Sequence, residues 1–359
     1  MFLIAYNVNL LGTSNQAHRI ALDLREAGRG ENKPGELKDV KGMGWFVDEY
    51  NMAQVTVNLN NFNVTPIHVL FEEVKKKASE LGVAIAGSEI VGIVPLESLL
   101  MAADYYMEKE GLFIYEEDQK IRLAIERMGL NSVSPFIPQK RVIEYIVAEE
   151  PDEPLANLSL RGFIEEVGAR TSAPGGGSVS AAIAAVGAGL GAMVAKLTYG
   201  VRKFENVQPH MENTIPALHN LTQQLIPMID ADTSAFNEYM DGLRMPKNTE
   251  AEKVARSAKM QAGLKTAINI PLTTMRLGDK AWKPLAEVAL YGNPASKSDT
   301  QVGAKSLETG IWGAYQNVLI NMKDIKDEEY KVTILAEAEK IMERAYRKCD
   351  EILKSLEKV

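Results

Sequence analysis

Only one cysteine, Cys349, occurs in 359 residues, so no disulfide can close within the chain, and a reducing cytosol is the compartment that fits best. Histidine is scarce: His18, His68, His210 and His219 are scattered and lack metal-ligand spacing. No Cys-x-x-Cys, His-Glu-x-x-His or Gly-x-Ser-x-Gly occurs, and the expectation is a protein without a metal. A formal net charge of −8, with no basic run long enough to neutralise phosphates, argues against nucleic-acid binding. The apolar start, MFLIAYNVNLLG, has neither a positive leading region nor a small-residue cleavage site, so it reads as a buried strand rather than a secretory signal. The longest apolar run, residues 179–197, is rich in Ala and Gly. It lacks membrane-interface anchors and closes on Lys196, which favours a buried packing helix over a membrane span.

What is present divides into two textures. With 46% hydrophobic residues, the length suits two domains, each with its own core. Residues 2–11 read as a strand; Thr13, Ser14 and Asn15 offer capping oxygens for a helix over 16–27, ended by Gly28 and Gly30. Two β-rich stretches lie within 44–59, separated by Asn51. Pro66 opens a helix to about residue 81, a strand follows at 83–95, then a helix over 96–109 and a short strand at LFIY. This order suggests a ferredoxin-like split βαβ subdomain with helices on one face. The acidic, proline-bearing stretch at 148–156 reads as a linker. Beyond it the strand signal stops. Helices are predicted over 158–170, 177–199, 211–243, 250–277, 281–291, 299–321 and 328–356. The fold class is therefore α+β followed by an all-α bundle, with domains at 1–147 and 157–359.

Candidate chemistry concentrates in the second half. Pro174, Gly175, Gly176, Gly177 and Ser178 lead into a helix whose free N–H groups can hold an anion, although a glycine run also serves a tight interhelical connection. The following helix carries a small-residue face, Ala181 to Ala188, suited to close helix contact and often found across a dimer. Arg202 and Lys203 are candidates for a carboxylate-rich ligand, or two solvated cations. Asp230 and Asp232 interrupt a helical pattern that disfavours aspartate. Two apart, they cannot share a face, and Asp232 is the one continuing the face of Ala235 and Phe236. Ser298 or Asp299 can cap the next helix. That helix carries Asn317 and Asn321 on one otherwise apolar face, as a ligand pocket or a subunit interface would require.

SAPGGGSV, the Ala/Gly helix, LTYG, the DAD segment and GNPASKSDTQVGAKSLETGIWGAYQNVLIN together resemble the cyclodeaminase domain of the formiminotransferase-cyclodeaminase family. FLIAYNVNLL, QAHRIALDLREAGRG, KGMGWFVDEYNMAQV and AGSEIVGIVPLESLL are similar to the C-terminal subdomain of its formiminotransferase domain. The resemblance covers nearly the whole chain in the family's order. It starts at Phe2, so the family's first transferase subdomain, with its catalytic histidine, has no counterpart here; transferase activity is then expected only if another chain supplies it.

The resemblance implies a folate enzyme of histidine breakdown, cytoplasmic, that closes 5-formiminotetrahydrofolate to 5,10-methenyltetrahydrofolate and expels ammonia. Asp232 matches the family's acid/base. Polyglutamylated tetrahydrofolate is the implied substrate. Its tail would be anchored by Arg202, Lys203 and the PGGGS backbone, and its pterin by Asn317 and Asp299. A homodimer through the helical domain and a larger ring are implied as well. Two other functions stay open: a methenyltetrahydrofolate cyclohydrolase, which shares the helical fold, and a non-catalytic folate-binding or assembly protein.

Overall fold

A computed structural model describes residues 2–30, 32–147 and 153–357. The chain falls into two compact units, Met1–Glu150 and Pro151–Val359. The first carries β1 (Ile4–Leu11), α1 (Ser14–Leu24), β2 (Val40–Val47), β3 (Met52–Leu59), α2 (Ile67–Glu80), β4 (Ala84–Val91), α3 (Leu96–Glu110), α4 (Glu117–Met128), α5 (Pro138–Arg141) and α6 (Ile143–Val147). The sheet order is β2-β3-β1-β4, and every neighbouring pair is antiparallel. β1 and β2 therefore run the same way with β3 between them.

Alternation along β1 explains the layering. Ile4, Tyr6, Val8 and Leu10 are fully buried in a core shared with Ile20 and Leu24 of α1 and Leu70 and Val74 of α2. Of the intervening positions, Asn7 and Asn9 are polar and bonded across strands. Gln54 Nε2 donates to Asn9 Oδ1 and to Glu89 Oε1, both at 2.9 Å, and Asn7 Nδ2 donates to Glu89 Oε1 at 3.0 Å. Thr13 caps α1 and forms a capping box with Gln16. Asn51, at φ +52°, turns β2 into β3.

LFIY is not a strand. The chain leaves α3 through left-handed Gly111, Leu112 N–H closes onto Met107 C=O, and Phe113 and Tyr115 rest against each other at 6.0 Å. A four-residue apolar run cannot tell strand from helix connector, and here helix α4, absent from the sequence reading, follows at once.

The second unit is helical among the described residues: α7 (Leu160–Val167), α8 (Gly176–Thr198), a 3₁₀ segment (Arg202–Val207), α9 (Gln208–Leu225), α10 (Met228–Arg244), α11 (Glu250–Tyr291), a 3₁₀ turn (Pro294–Ser296), α12 (Lys297–Met322) and α13 (Glu328–Glu357). Of the proposed linker, residues 148–152 lie outside the described residues, and Leu155 beyond them is buried. The helix expected over 211–243 is two helices, because Pro227 has no N–H to continue the ladder. Conversely, the two helices expected over 250–291 are one of 42 residues with Pro271 and Pro284 inside. Gly278, in the gap expected between those two helices, is a packing position: a Cβ there would lie 2.8 Å from Ile311 Cγ1.

α8 is long and apolar enough to cross a membrane by length and composition, yet 61% of its most apolar window is buried within the chain. Its small residues do not await a partner copy; they meet α12. A Cβ on Gly187 would lie 2.7 Å from Leu307 N, and one on Gly310 would lie 2.7 Å from Ala184 Cβ. α8 and α12 thus run antiparallel at backbone contact, with no side chain between them. Gly310→Val should overpack this seam and destabilise the second unit by about 1–3 kcal/mol in urea denaturation. Gly189→Ala, whose new methyl meets only Thr222 Cγ2 at 3.8 Å, should be neutral or stabilising by up to about 1 kcal/mol.

Candidate active site

The antiparallel seam brings the start of α8 to the last turns of α12. A turn with a cis Ala173–Pro174 peptide leads to Gly175, the N-cap of α8. α10 packs alongside and presents Asp232 to this turn. Asp232 Oδ2 accepts the Ser178 N–H at 3.1 Å, one of the unpaired donors of the first helical turn. Gly177 makes that approach possible, since a Cβ there would land on the Asp232 carboxylate. Ser178 Oγ and Thr233 Oγ1 share a hydrogen bond at 3.2 Å, and Ser180 Oγ donates to Gly176 C=O at 2.5 Å. Asn317 reaches the same turn from α12: a Cβ on Gly176 would lie 3.3 Å from its Nδ2, which donates to Gly313 C=O at 2.8 Å.

Two influences on Asp232 oppose each other. Burial raises its pKa; the Ser178 N–H lowers it, and the net direction is upward. The carboxyl therefore titrates above the ordinary aspartate range although both the Ser178 N–H and the Ser178 side chain act to lower it. Such a group can take a proton and return it. It also supplies negative charge beside the helix start, where a free anion was expected to bind. The Ser178 N–H that was to hold a substrate carboxylate holds the protein's own.

The predicted residues separate into two groups. Pro174 to Ser178, Asp232 and Asn317 come together. Arg202 and Lys203 do not: they follow the far end of α8, about 33 Å from Gly176 at 1.5 Å per residue over 23 residues. Asp299 lies in the first turn of α12, 18 residues and about 27 Å before Asn317. Neither Ser298 nor Asp299 caps α12, which begins at Lys297 with Ser296 as N-cap; Asp299 instead complements the helix dipole from its first turn. Sequence proximity to the motif gave no warning of this, because a long straight helix carries its two ends apart. Among the described residues, no three or more His, Cys, Asp and Glu side chains gather as metal ligands.

Asp230 has a different task from Asp232. It is buried, with Oδ1 accepting Leu155 N–H at 2.8 Å and Oδ2 accepting Ala156 N–H at 3.0 Å. It fastens the segment entering the helical unit. Asp230→Ala leaves one buried and one half-buried N–H without an acceptor and should cost about 1–3 kcal/mol by urea denaturation.

Residues 5–148 match the family model described as Formiminotransferase domain, and residues 159–340 the one described as Formiminotransferase-cyclodeaminase. The formimidoyltransferase-cyclodeaminase of Dictyostelium discoideum is 55% identical over 99% of this chain, and that of Mus musculus 47% over the same share. The chain spans 66% of the length of each of these relatives. A methenyltetrahydrofolate cyclohydrolase of Methylorubrum extorquens is 33% identical over 53% of this chain and 91% of its own length. With both domain models matched in order, and relatives sharing about half of all positions, this chain belongs to the formiminotransferase-cyclodeaminase family.

Proposed function

We propose that this chain converts 5-formiminotetrahydrofolate to 5,10-methenyltetrahydrofolate and ammonia, with Asp232 as the acid/base. The observation that carries the reading is a half-buried carboxylate of raised pKa, fixed at the glycine turn by the Ser178 N–H. The folate N10 attacks the amidinium carbon and forms the new C–N bond. Asp232 takes the N10 proton and passes it to the amino group of the tetrahedral intermediate, which departs as ammonia. The cation of the substrate becomes the cation of the methenyl product, so charge is conserved. A fixed carboxylate favours both over the neutral surroundings of a pocket. Ring closure is intramolecular, so holding the two nitrogens in reach supplies a further large share of the acceleration. Asn317, whose Oδ1 remains available while Nδ2 is bonded to Gly313, suits a hydrogen bond from the pterin.

The same reading places tetrahydrofolate as substrate without a metal, in the cytoplasm, and in a homodimer through the helical domain within a larger ring. Apolar Val186 and Leu197 stand exposed on α8, as a covered face would require. For the first unit, the β2-β3-β1-β4 order supports a ferredoxin-like split βαβ subdomain. A second activity, hydrolysis of the methenyl product, is favoured by the cyclohydrolase relative. There, Asp232 would activate water rather than N10.

Asp232→Asn should lower the rate of ammonia release about 10²- to 10⁴-fold with the melting temperature preserved. An unchanged rate would remove Asp232 from the chemistry. Comparing ammonia release with methenyl hydrolysis in the unaltered protein separates the two activities.

The base form of Asp232 is the one that accepts the N10 proton, so kcat/KM should rise with pH through a limb displaced above the usual carboxylate range. That limb should be absent from the residual activity of Asp232→Asn. Stability moves the opposite way. With the folded-state pKa raised, protonated Asp232 contributes stability at low pH that is lost as pH climbs through that pKa, and Asn should flatten this dependence in pH-resolved denaturation.

A further inference from the structure

The displacement of Arg202 and Lys203 to the far end of α8 leaves the anionic tail of a folate without its expected anchor. A second cationic site lies on the Asp232 side. A cavity of about 510 Å³ is lined by Tyr239, Arg256, Ser257, Gln261, Asp324 and Lys326, among others. Tyr239 follows Asp232 by seven residues on α10, close to two full turns, so both share one face about 10 Å apart. α10 and α12 each pack along α11 but scarcely touch one another. Asp232 and Asn317 stand at the glycine turn. Farther along α12, Asn321 Nδ2 donates to Ala267 C=O at 3.0 Å, fixing α12 to α11. Gly263 of α11 lies under the Tyr239 backbone, where a Cβ would come within 2.8 Å of Tyr239 Cα.

Charge pairing singles out two cations. Neighbouring Lys259 and Lys265 are neutralised by Glu238 at 3.1 Å and Asp327 at 2.7 Å. Arg256 and Lys326 have only neutral oxygens as partners among the described residues. Arg256 Nε and Nη2 both donate to Leu243 C=O at 3.2 Å, and Lys326 Nζ donates to Ser257 Oγ at 3.1 Å. Both are held in place. Gln261 receives the Lys326 N–H at 2.9 Å and donates to Asp324 C=O at 2.8 Å, clamping the loop to α11. Asp324 contributes one negative charge to the lining, so the cavity keeps a net positive balance. Two fixed cations against one lining carboxylate, beside an aromatic ring and in a cavity of ligand size, suit a carboxylate-bearing chain attached to a flat ring system.

We propose that Arg256 and Lys326 bind the glutamate tail of the folate whose pterin sits at Asp232; this rests on the folate reading of the Asp232 site. A substrate held this way lies with its pterin and amidinium at the glycine turn and its anionic end at Tyr239. Specificity for tail-bearing folates would come from this pair alone, since nothing in the proton transfer requires the tail.

Binding of 5-formyltetrahydrofolate, which does not react, and of 5-formyltetrahydropteroate, which lacks the glutamate, tests the proposal by titration calorimetry on the full chain. Arg256→Ala/Lys326→Ala should weaken the glutamate-bearing probe about 10- to 100-fold and leave the tail-less probe within twofold. Because Arg256 also holds Leu243, Lys326→Glu serves as a second variant, with the same probe-selective loss expected. Arg202→Ala/Lys203→Ala should change neither affinity. An equal loss for both probes, no loss for either, or a selective loss in the Arg202/Lys203 variant overturns the assignment. The chemistry is judged separately. If the unaltered chain releases no ammonia yet shows the tail-selective loss in the variants, the tail site stands and the cyclodeaminase activity falls. If it binds neither probe, both fall.

Discussion

The hydrogen bond from Ser178 N–H to Asp232 is the contact on which the arrangement of the helical unit converges. It joins the first turn of α8 to the second turn of α10, and it exists only because residue 177 has no side chain. A helix start normally leaves its first N–H groups to water, a cap or a ligand. Here one of them is used to hold an acidic side chain in a partly apolar place, so the position that could have bound an anion instead carries one. The opposing effects of burial and this N–H place the carboxyl where it can exchange a proton, which neither an exposed nor a fully paired aspartate does as readily.

That contact is positioned by the α8–α12 seam. Gly187, Gly303 and Gly310, with Ala184, let the two backbones touch, so the register between helices is set by backbone atoms rather than by adaptable side chains. Rigid helices then fix two things at once: Asn317 arrives beside Gly176, and Asp299 is carried to the other end. The same rigidity places the Arg256 and Lys326 cavity on the Asp232 side of α11. Asp230 secures the chain where it enters this assembly, binding the Leu155 and Ala156 N–H groups. Two aspartates separated by a single alanine thus meet different partners, Asp230 the entering segment and Asp232 the glycine turn, because a helix turns them to different neighbours.

For a ring closure between two nitrogens of one molecule, this division of labour is chemically sufficient in outline. The reaction needs one proton moved from N10 to the departing amine, a negative charge near a cation that persists from substrate to product, and a fixed relative orientation of the reacting atoms. In the proposed reading Asp232 addresses the first two, and the third falls to the glycine turn together with the Arg256 and Lys326 cavity, which suits a substrate that is anionic at its far end.

Much of the fold was legible in the sequence because local periodicity encodes it. The alternation in Ile4–Leu11, the cap at Thr13, the turn at Asn51 and the disappearance of strand signal after the acidic stretch all act over a few residues. So did Asp232, an aspartate that breaks the helical pattern on the face of Ala235 and Phe236. Where neighbours far along the chain decide the outcome, the pattern was silent. Gly278 lies in an expected gap between helices and is a packing notch for Ile311; LFIY looks like a strand and has no strand to pair with. Arg202, Lys203 and Asp299, expected to hold the same ligand as Asn317, lie at the opposite ends of α8 and α12. The amino-acid sequence by itself determined which residues could do acid/base chemistry and which segments were helix or strand. The tertiary structure alone decided which of those residues meet, because a helix fixes its own ends about 1.5 Å apart per residue while only packing against other helices selects their neighbours.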